Sequence, residues 1–490
     1  MLYNSTEFVI FFAAICLILY LVPHKARNLY LLIVSYIFCA MYSPVFVPFL
    51  AVMTLFSYIA GRAIERSRKT WAFALVLIVL FAPLAFLKYY AFFASLLTEG
   101  LGAMHIRVSI PALTLVQPVG LSFYSFMAGG YLIDVWKGKI SAERNILRYA
   151  LFLSFFPTQS AGPIERADLF LPQLEKKRPF SWDGVQTGLL YMLWGYIEKS
   201  VIADNIKPMV DAVFSDFGSF SSGTLALTVL LYTMEIYCDF AGYSNLALGA
   251  GKVMGFDLIQ NFRSPYFAGS VAGFWRRWHI SLTKWFTDYI YIPLGGSRRG
   301  KLRQYRNIMI VFLVSGLWHG AAVHFVIWGA VNGIYQIAGK ILMPVRNKIC
   351  GGLGIEREAF SHRLLKTAVT FVLIALSWVF FRADSARQAL SYLKRLVTGP
   401  VLIRMSEISR MLPDKSTRQI VLIAAMLAFF LLVMTIVDYL TYKDIDVAGR
   451  FVRQGAWLKI LVFVFLIMSV AVFGKYGPAF DEAAFIYTQF

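Results

Sequence analysis

Cysteine is scarce in this chain and scattered. Four occur in 490 residues, Cys16, Cys39, Cys238 and Cys350, without CxxC spacing, so neither a zinc site nor a disulfide framework is indicated and no bound metal is expected. Charge is short as well: 15% of residues are charged, against roughly 25% in a soluble domain. No interior stretch is long, polar and low in complexity, which argues against a separable soluble domain or a flexible linker, and residues 1–490 read as one membrane domain. Several signatures are missing. There is no GxxxxGK[ST] phosphate loop, no GxGxxG turn, no GxSxG elbow and no HExxH pair, so nucleotide hydrolysis, dinucleotide redox chemistry and zinc proteolysis lack support. The opening "MLYNSTEF" carries no Lys or Arg, so it offers no basic n-region of a cleaved signal peptide; the first apolar segment is expected to be retained, with the N-terminus outside.

What is abundant is apolar surface. Hydrophobic residues make up 59% of the chain and aromatic residues 16%, so its solvent must be largely lipid. Apolar windows recur near 7–22, 28–44, 46–61, 71–97, 184–203, 224–250, 307–340, 364–381, 418–440 and 456–474. Each is near a membrane-crossing length of ~20 residues or divisible into it, which predicts an all-α polytopic membrane protein of roughly ten to twelve spans. Shorter pieces around 112–135 and 146–157, broken by Pro118, Gly120, Gly129, Gly130 and Pro157, are expected to be re-entrant or buried between helices. Long continuous runs, not alternating ten-residue segments, exclude a β-barrel pattern.

The formal charge of +20 does not point to nucleic acid, because the basic residues fall in clusters between spans, as cytoplasmic loops require. The strongest cluster is Arg298, Arg299, Lys301, Arg303 and Arg306. The stretch 271–296 mixes Trp275, Trp278, Trp285, Tyr289 and Tyr291 with Arg276, Arg277 and Lys284, a membrane-interface composition, but its aromatics form no single stripe and so predict burial on more than one side.

Polar residues inside apolar runs are the candidates for chemistry. Of six histidines, His24, His362 and His105 belong to loops and His324 has no polar neighbours in sequence. His319, in "SGLWHGA", is flanked by Gly316 and Gly320 at GxxxG spacing, which permits close helix approach, and by Trp318, which can wall a cavity. An imidazole in hydrocarbon either works or pairs, and the sequence leaves both open. A working histidine would act as a general base on a hydroxyl or thiol, since its ordinary pKa lies near operating pH. His279 lies in "FWRRWHISL", where Arg276 and Arg277 can meet an anionic ligand or lipid headgroups. Glu235 and Asp239, at i and i+4 in another apolar run, either line a wet passage or join a polar network with a buried cation such as Lys199; Gly242, Tyr243 and Ser244 follow, the glycine suggesting a helix break or a close backbone approach.

Five segments carry a family resemblance: "FPTQSAGPIERADLFLPQL" (156–174), "YCDFAGYSNLALG" (237–249), "NFRSPYFAGSVAGFWRRWHISLTKWFTDYIYIPLGGSRRG" (261–300), "YRNIMIVFLVSGLWHGAAVHFVIWGAVNG" (305–333) and "LSWVFFRAD" (376–384), with "ARNLYLLIVSYIFCA" (26–40) near the start. In these the chain resembles the membrane-bound O-acyltransferase superfamily, in its bacterial alginate O-acetylation branch, with a core motif region of about 150–340. The resemblance implies a ring of membrane helices, with re-entrant and interfacial helices forming a central funnel or tunnel to a buried histidine. By match to the family's "GLWHG" motif His319 is implied as the catalytic residue, and His279 as the second polar residue of the site. Trp318, Asp239, Ser244, Arg276 and Arg277 are the expected substrate-binding residues. Ala241 and Asn245, and Thr158 to Ser160, depart from the family pattern and bear on specificity.

The implied activity is transfer of an acetyl group from a cytoplasmic thioester, acetyl-CoA or an acyl carrier protein, for O-acetylation of an extracytoplasmic polysaccharide or cell-wall glycan. No tightly bound cofactor is expected. Membrane lipid, an extracytoplasmic acetyltransferase and the polysaccharide acceptor are the expected partners, in a bacterial cytoplasmic membrane. The alternatives are D-alanyl transfer to teichoic acid and, from another class, a transporter or flippase with Glu235, Asp239 and His319 as its polar pathway.

Overall fold

The computed structural model describes residues 3, 5–106, 111, 113, 118, 120–159 and 162–476. Ser160, one of the departures from the family pattern, and most of 107–119 lie outside the described residues. The architecture is all-α, with no strand among the described residues. Among the described residues six helices are long and apolar enough to cross a bilayer: Phe46–Ser67, Thr70–Gly102, Ser222–Val253, Phe360–Arg382, Thr417–Tyr442 and Ala456–Phe473. A seventh forms if the bent pair Val323–Ile341 and Met343–Gly352 is one span. Other expected spans are helices of a different kind. Thr6–Leu21 has only 16 residues, and Lys301–His319 carries Lys301, Arg303 and Arg306 in its first turns.

The chain folds as two compact units. The first comprises 1–189 with 247–259. Its innermost helix is Leu121–Trp136, buried on nearly every side, where the Tyr131 hydroxyl accepts from Glu143 N–H at 3.0 Å. The piece 146–157 is not a complete crossing. Helix Ile146–Ser154 has nine residues and a short turn, Phe156–Gln159, follows; the Phe156 N–H donates to Ser35 Oγ at 3.1 Å and the Gln159 amide to the Ser35 carbonyl at 3.2 Å. Backbone groups freed by the break are thereby satisfied inside protein, which is the condition for irregular chain at membrane depth.

The second unit, 190–246 with 260–490, carries most of the polar residues singled out above. Ser222–Val253, which contributes its residues up to Leu246 to this unit, is 72% buried, whereas Ala456–Phe473 is 11% buried and presents its apolar side chains outward, as lipid contact requires. Gly242 marks a close approach and not a helix break: Ser222–Val253 runs through it, and a Cβ there would stand 2.7 Å from the Gly195 carbonyl oxygen. The antiparallel hairpin Lys301–His319 and Val323–Ile341 packs in the same way. A Cβ on Gly316 would come 2.3 Å from the Phe325 carbonyl, and one on Gly329 2.2 Å from that of Phe312, so two small residues set how near the backbones lie.

Candidate active site

Lys301–His319 ends at His319 because Gly320 turns extended, at φ −162° and ψ 149°. The His319 ring, 4% exposed, meets Trp328 edge-on at 5.0 Å between centroids, Phe381 at 5.3 Å and Trp318 at 4.9 Å. Trp328 in turn stacks on Trp378 at 5.7 Å, and Trp275 closes against both. Such an aromatic surround packs against the imidazole and restricts its orientation.

His279 is placed by an irregular segment. It adopts a left-handed backbone, φ 43° and ψ 55°, just before helix Ile280–Phe286. A non-glycine residue holds this conformation only where its surroundings over-determine it. Here Asn261 does so: its carbonyl accepts from Ile280 N–H at 2.9 Å, its side-chain oxygen accepts the Ser281 hydroxyl at 2.6 Å, and its amide donates to Ser244 Oγ at 3.1 Å. Arg263 N–H adds a bond to the Arg277 carbonyl at 3.0 Å. The His279 ring packs edge-on to Phe240 at 4.7 Å and to Trp318 at 5.8 Å, so Trp318 stands beside both histidines. Burial pushes the His279 imidazole down to about 3, which leaves it neutral at physiological pH.

Both histidines line one cavity of about 270 Å³, together with Trp275, Arg276, Phe312, Ser315, Gln336 and Lys340. The cavity is apolar near His319 and cationic at Arg276 and Lys340, a division that suits a ligand with a small reactive end and an anionic body. On the other side of the turn, Gly320 lines a second cavity of about 490 Å³, with Lys207, Asp211, Glu235, His324 and Arg382. His319 therefore ends one cavity where the next residue begins another.

The remaining expected residues fall elsewhere. Asp239 belongs to a buried knot in which the Lys199 ammonium lies 2.5 Å from it and 2.7 Å from Asp204. Ser244 supports Asn261, as above. Arg277 sits over the Tyr442 ring at 5.1 Å and donates to the Arg263 carbonyl at 3.1 Å. His324 has polar company after all, its Nδ1 3.0 Å from the Phe380 carbonyl oxygen. Sequence reasoning missed Asn261, Ser315, Gln336 and Lys340. Gln336 and Lys340 alone left a signal, two polar residues four apart at the end of an apolar helix.

The fold and the site define a polytopic all-helical membrane protein in which a buried histidine lines one cavity and the residue after it lines another. Residues 139–352 match the model of the MBOAT, membrane-bound O-acyltransferase family, a stretch that contains both histidines. The chain is 35% identical over 396 residues to a probable alginate O-acetylase AlgI of Pseudomonas syringae pv. tomato, covering 79% of this chain and 74% of that protein. It is 32% identical over 444 residues to the peptidoglycan O-acetyltransferase of Helicobacter pylori, covering 81% and 80%. To the teichoic acid D-alanyltransferase of Bacillus subtilis it is 26% identical over 297 residues, covering 58% and 71%. The chain belongs to the membrane-bound O-acyltransferase family and is a multi-pass membrane O-acyltransferase.

Proposed function

We propose that the protein takes an acetyl group from a cytoplasmic thioester, acetyl-CoA, and passes it through the bilayer for O-acetylation of an extracytoplasmic polysaccharide or cell-wall glycan, with His319 as the general base. The observation that carries this reading is the adjacency of His319, at the end of the cavity holding Arg276 and Lys340, to Gly320, on the wall of the second cavity. The exposed cluster Arg298, Arg299, Lys301 and Arg303 lies at the end of the hairpin away from His319; by the positive-inside rule that end is cytoplasmic, which makes the cavity of Lys340 the donor side.

The chemistry balances with one base. A hydroxyl reaching His319 from the second cavity gives its proton to the imidazole as its oxygen bonds to the acetyl carbon; the C–S bond breaks, and the thiolate leaves on the donor side and takes up that proton. The His279 ring, beside Trp318, bounds the reacting end, while Arg276 and Lys340 meet the phosphates of coenzyme A. An acyl carrier protein would use the same cations, and an extracytoplasmic acetyltransferase is the expected partner. The relatives of higher identity bear O-acetyl-transfer names, which supports acetyl over D-alanyl transfer.

A strain carrying His319→Ala at normal protein abundance tests the reading. Loss of glycan O-acetylation is expected; unchanged acetylation removes His319 from the mechanism.

A further inference from the structure

In the second cavity most charges are settled among themselves. Lys207 lies 2.6 Å from Asp211, Arg382 bonds the same carboxylate, and the Asp384 side chain at the rim is 82% exposed. Glu235 stands apart. It is 3% exposed, it lines this cavity, and its Oε2 accepts no hydrogen bond from any described residue. A polar atom so deep is costly to leave without a hydrogen-bond partner and calls for one from outside the protein, such as water, an ion or a ligand group.

The charge balance says what kind of ligand. Lys207 and Arg382 are matched by Asp211 and, at 3.9 Å from Arg382, by Asp384 at the rim, which leaves Glu235 as the carboxyl without an ion-pair partner. An ammonium ligand would face Arg382 and Lys207, and an anionic one would face Glu235 and Asp384. A neutral hydroxyl supplies a proton donor to Glu235 without disturbing either balance, and about 490 Å³ has room for a short saccharide.

We propose that Glu235 is an acceptor-binding residue: its free carboxyl oxygen takes a hydrogen bond from a hydroxyl of a neutral polyhydroxylated acceptor, a sugar unit, and so brings a neighbouring hydroxyl to His319. This rests on the two-cavity reading of His319 given above. Glu235 takes no proton from the reacting hydroxyl; that proton goes to His319, and the carboxylate fixes which hydroxyl arrives.

The test uses the full chain reconstituted in lipid vesicles with labelled acetyl-CoA and three tetrasaccharides: a neutral β-glucan, an amino sugar and an oligouronate. The neutral one is expected to be acetylated best. Glu235→Ala is expected to raise its KM at least tenfold, with the KM for acetyl-CoA unchanged, and Glu235→Gln, which keeps the shape and one acceptor oxygen, to fall between. If Glu235→Ala does not fold, Glu235→Gln carries the comparison, with thermal unfolding as the check. An unchanged acceptor KM in the folded variants, equal loss toward donor and acceptor, preference for a charged saccharide, or a wild-type protein that acetylates none of the three overturns the proposal. His319→Ala run alongside separates the two ideas. If it abolishes transfer while the Glu235 variants behave as wild type, only this inference falls; if it retains transfer, the reading of the site falls.

Discussion

The side-chain oxygen of Asn261 accepts the Ser281 hydroxyl at 2.6 Å, and through this bond a residue eighteen positions upstream holds the left-handed turn that presents His279. Replacing Asn261 by Leu leaves the Ser281 and Ser244 hydroxyls buried without it, at about 1–3 kcal/mol each. Relaxation of the turn is expected to lower kcat by roughly tenfold or more, since each 1.36 kcal/mol in the barrier is tenfold. Steady-state kinetics on detergent-purified protein check this, and Asn261→Leu with unaltered kcat would separate the turn from catalysis.

Lys199 joins Asp239 and Asp204 at 2.5 and 2.7 Å in a fully enclosed setting. Lys199→Met strands two carboxylates and is expected to cost about 3–5 kcal/mol. Adding Asp239→Asn should restore part of that loss, because it removes one of the stranded charges. Thermal unfolding of the single and double variants decides it; a double variant less stable than Lys199→Met would contradict the pairing.

Gly316 and Gly339 make a matched pair of tests. A Cβ on Gly316 would lie 2.3 Å from the Phe325 carbonyl, while one on Gly339 meets nothing within 4 Å. Gly316→Ala should push the hairpin apart and lower both melting temperature and activity. Gly339→Ala should be neutral or stabilising by up to ~1 kcal/mol, from helix propensity alone.

Glu407 sets a pH dependence. Burial works against its ionisation, but the Ser221 hydroxyl at 2.6 Å, the Thr224 hydroxyl and the Ser221 N–H outweigh this and hold its carboxyl below the usual range. A folded-state pKa below the unfolded value of about 4.3 stabilises the protein above that value, and the benefit is lost as pH falls through the folded pKa. Wild type should exceed Glu407→Gln in melting temperature near pH 7, and the gap should close toward pH ~3. A gap that widens in acid would reverse the assignment.

Much of this was legible in the sequence, for reasons local to it. His319 stood out because an imidazole in an apolar run is costly, and Gly316 because a small residue beside it permits backbone approach. The sequence left Glu235 and Asp239 either to line a wet passage or to meet a buried cation such as Lys199, and the structure pairs Lys199 with Asp239. Asn261 was not legible, since its role depends on two segments meeting in space, and an asparagine in a polar stretch carries no periodic signal. The second cavity was hidden for the same reason: Lys207, Glu235, Gly320 and Arg382 come from four separate helices or their ends. Hydropathy also read helices such as Lys301–His319 as ordinary spans, although basic first turns set them apart.

Donor and acceptor are expected to reach His319 from opposite sides of the membrane. Vesicles containing the protein in one orientation, with labelled acetyl-CoA added on the side of the Arg298–Arg306 cluster and a saccharide acceptor sealed on the other, test it directly. Acetylated saccharide is expected in the sealed compartment with wild type and none with His319→Ala. Label appearing only on saccharide placed beside the donor, or undiminished transfer by His319→Ala, would contradict it.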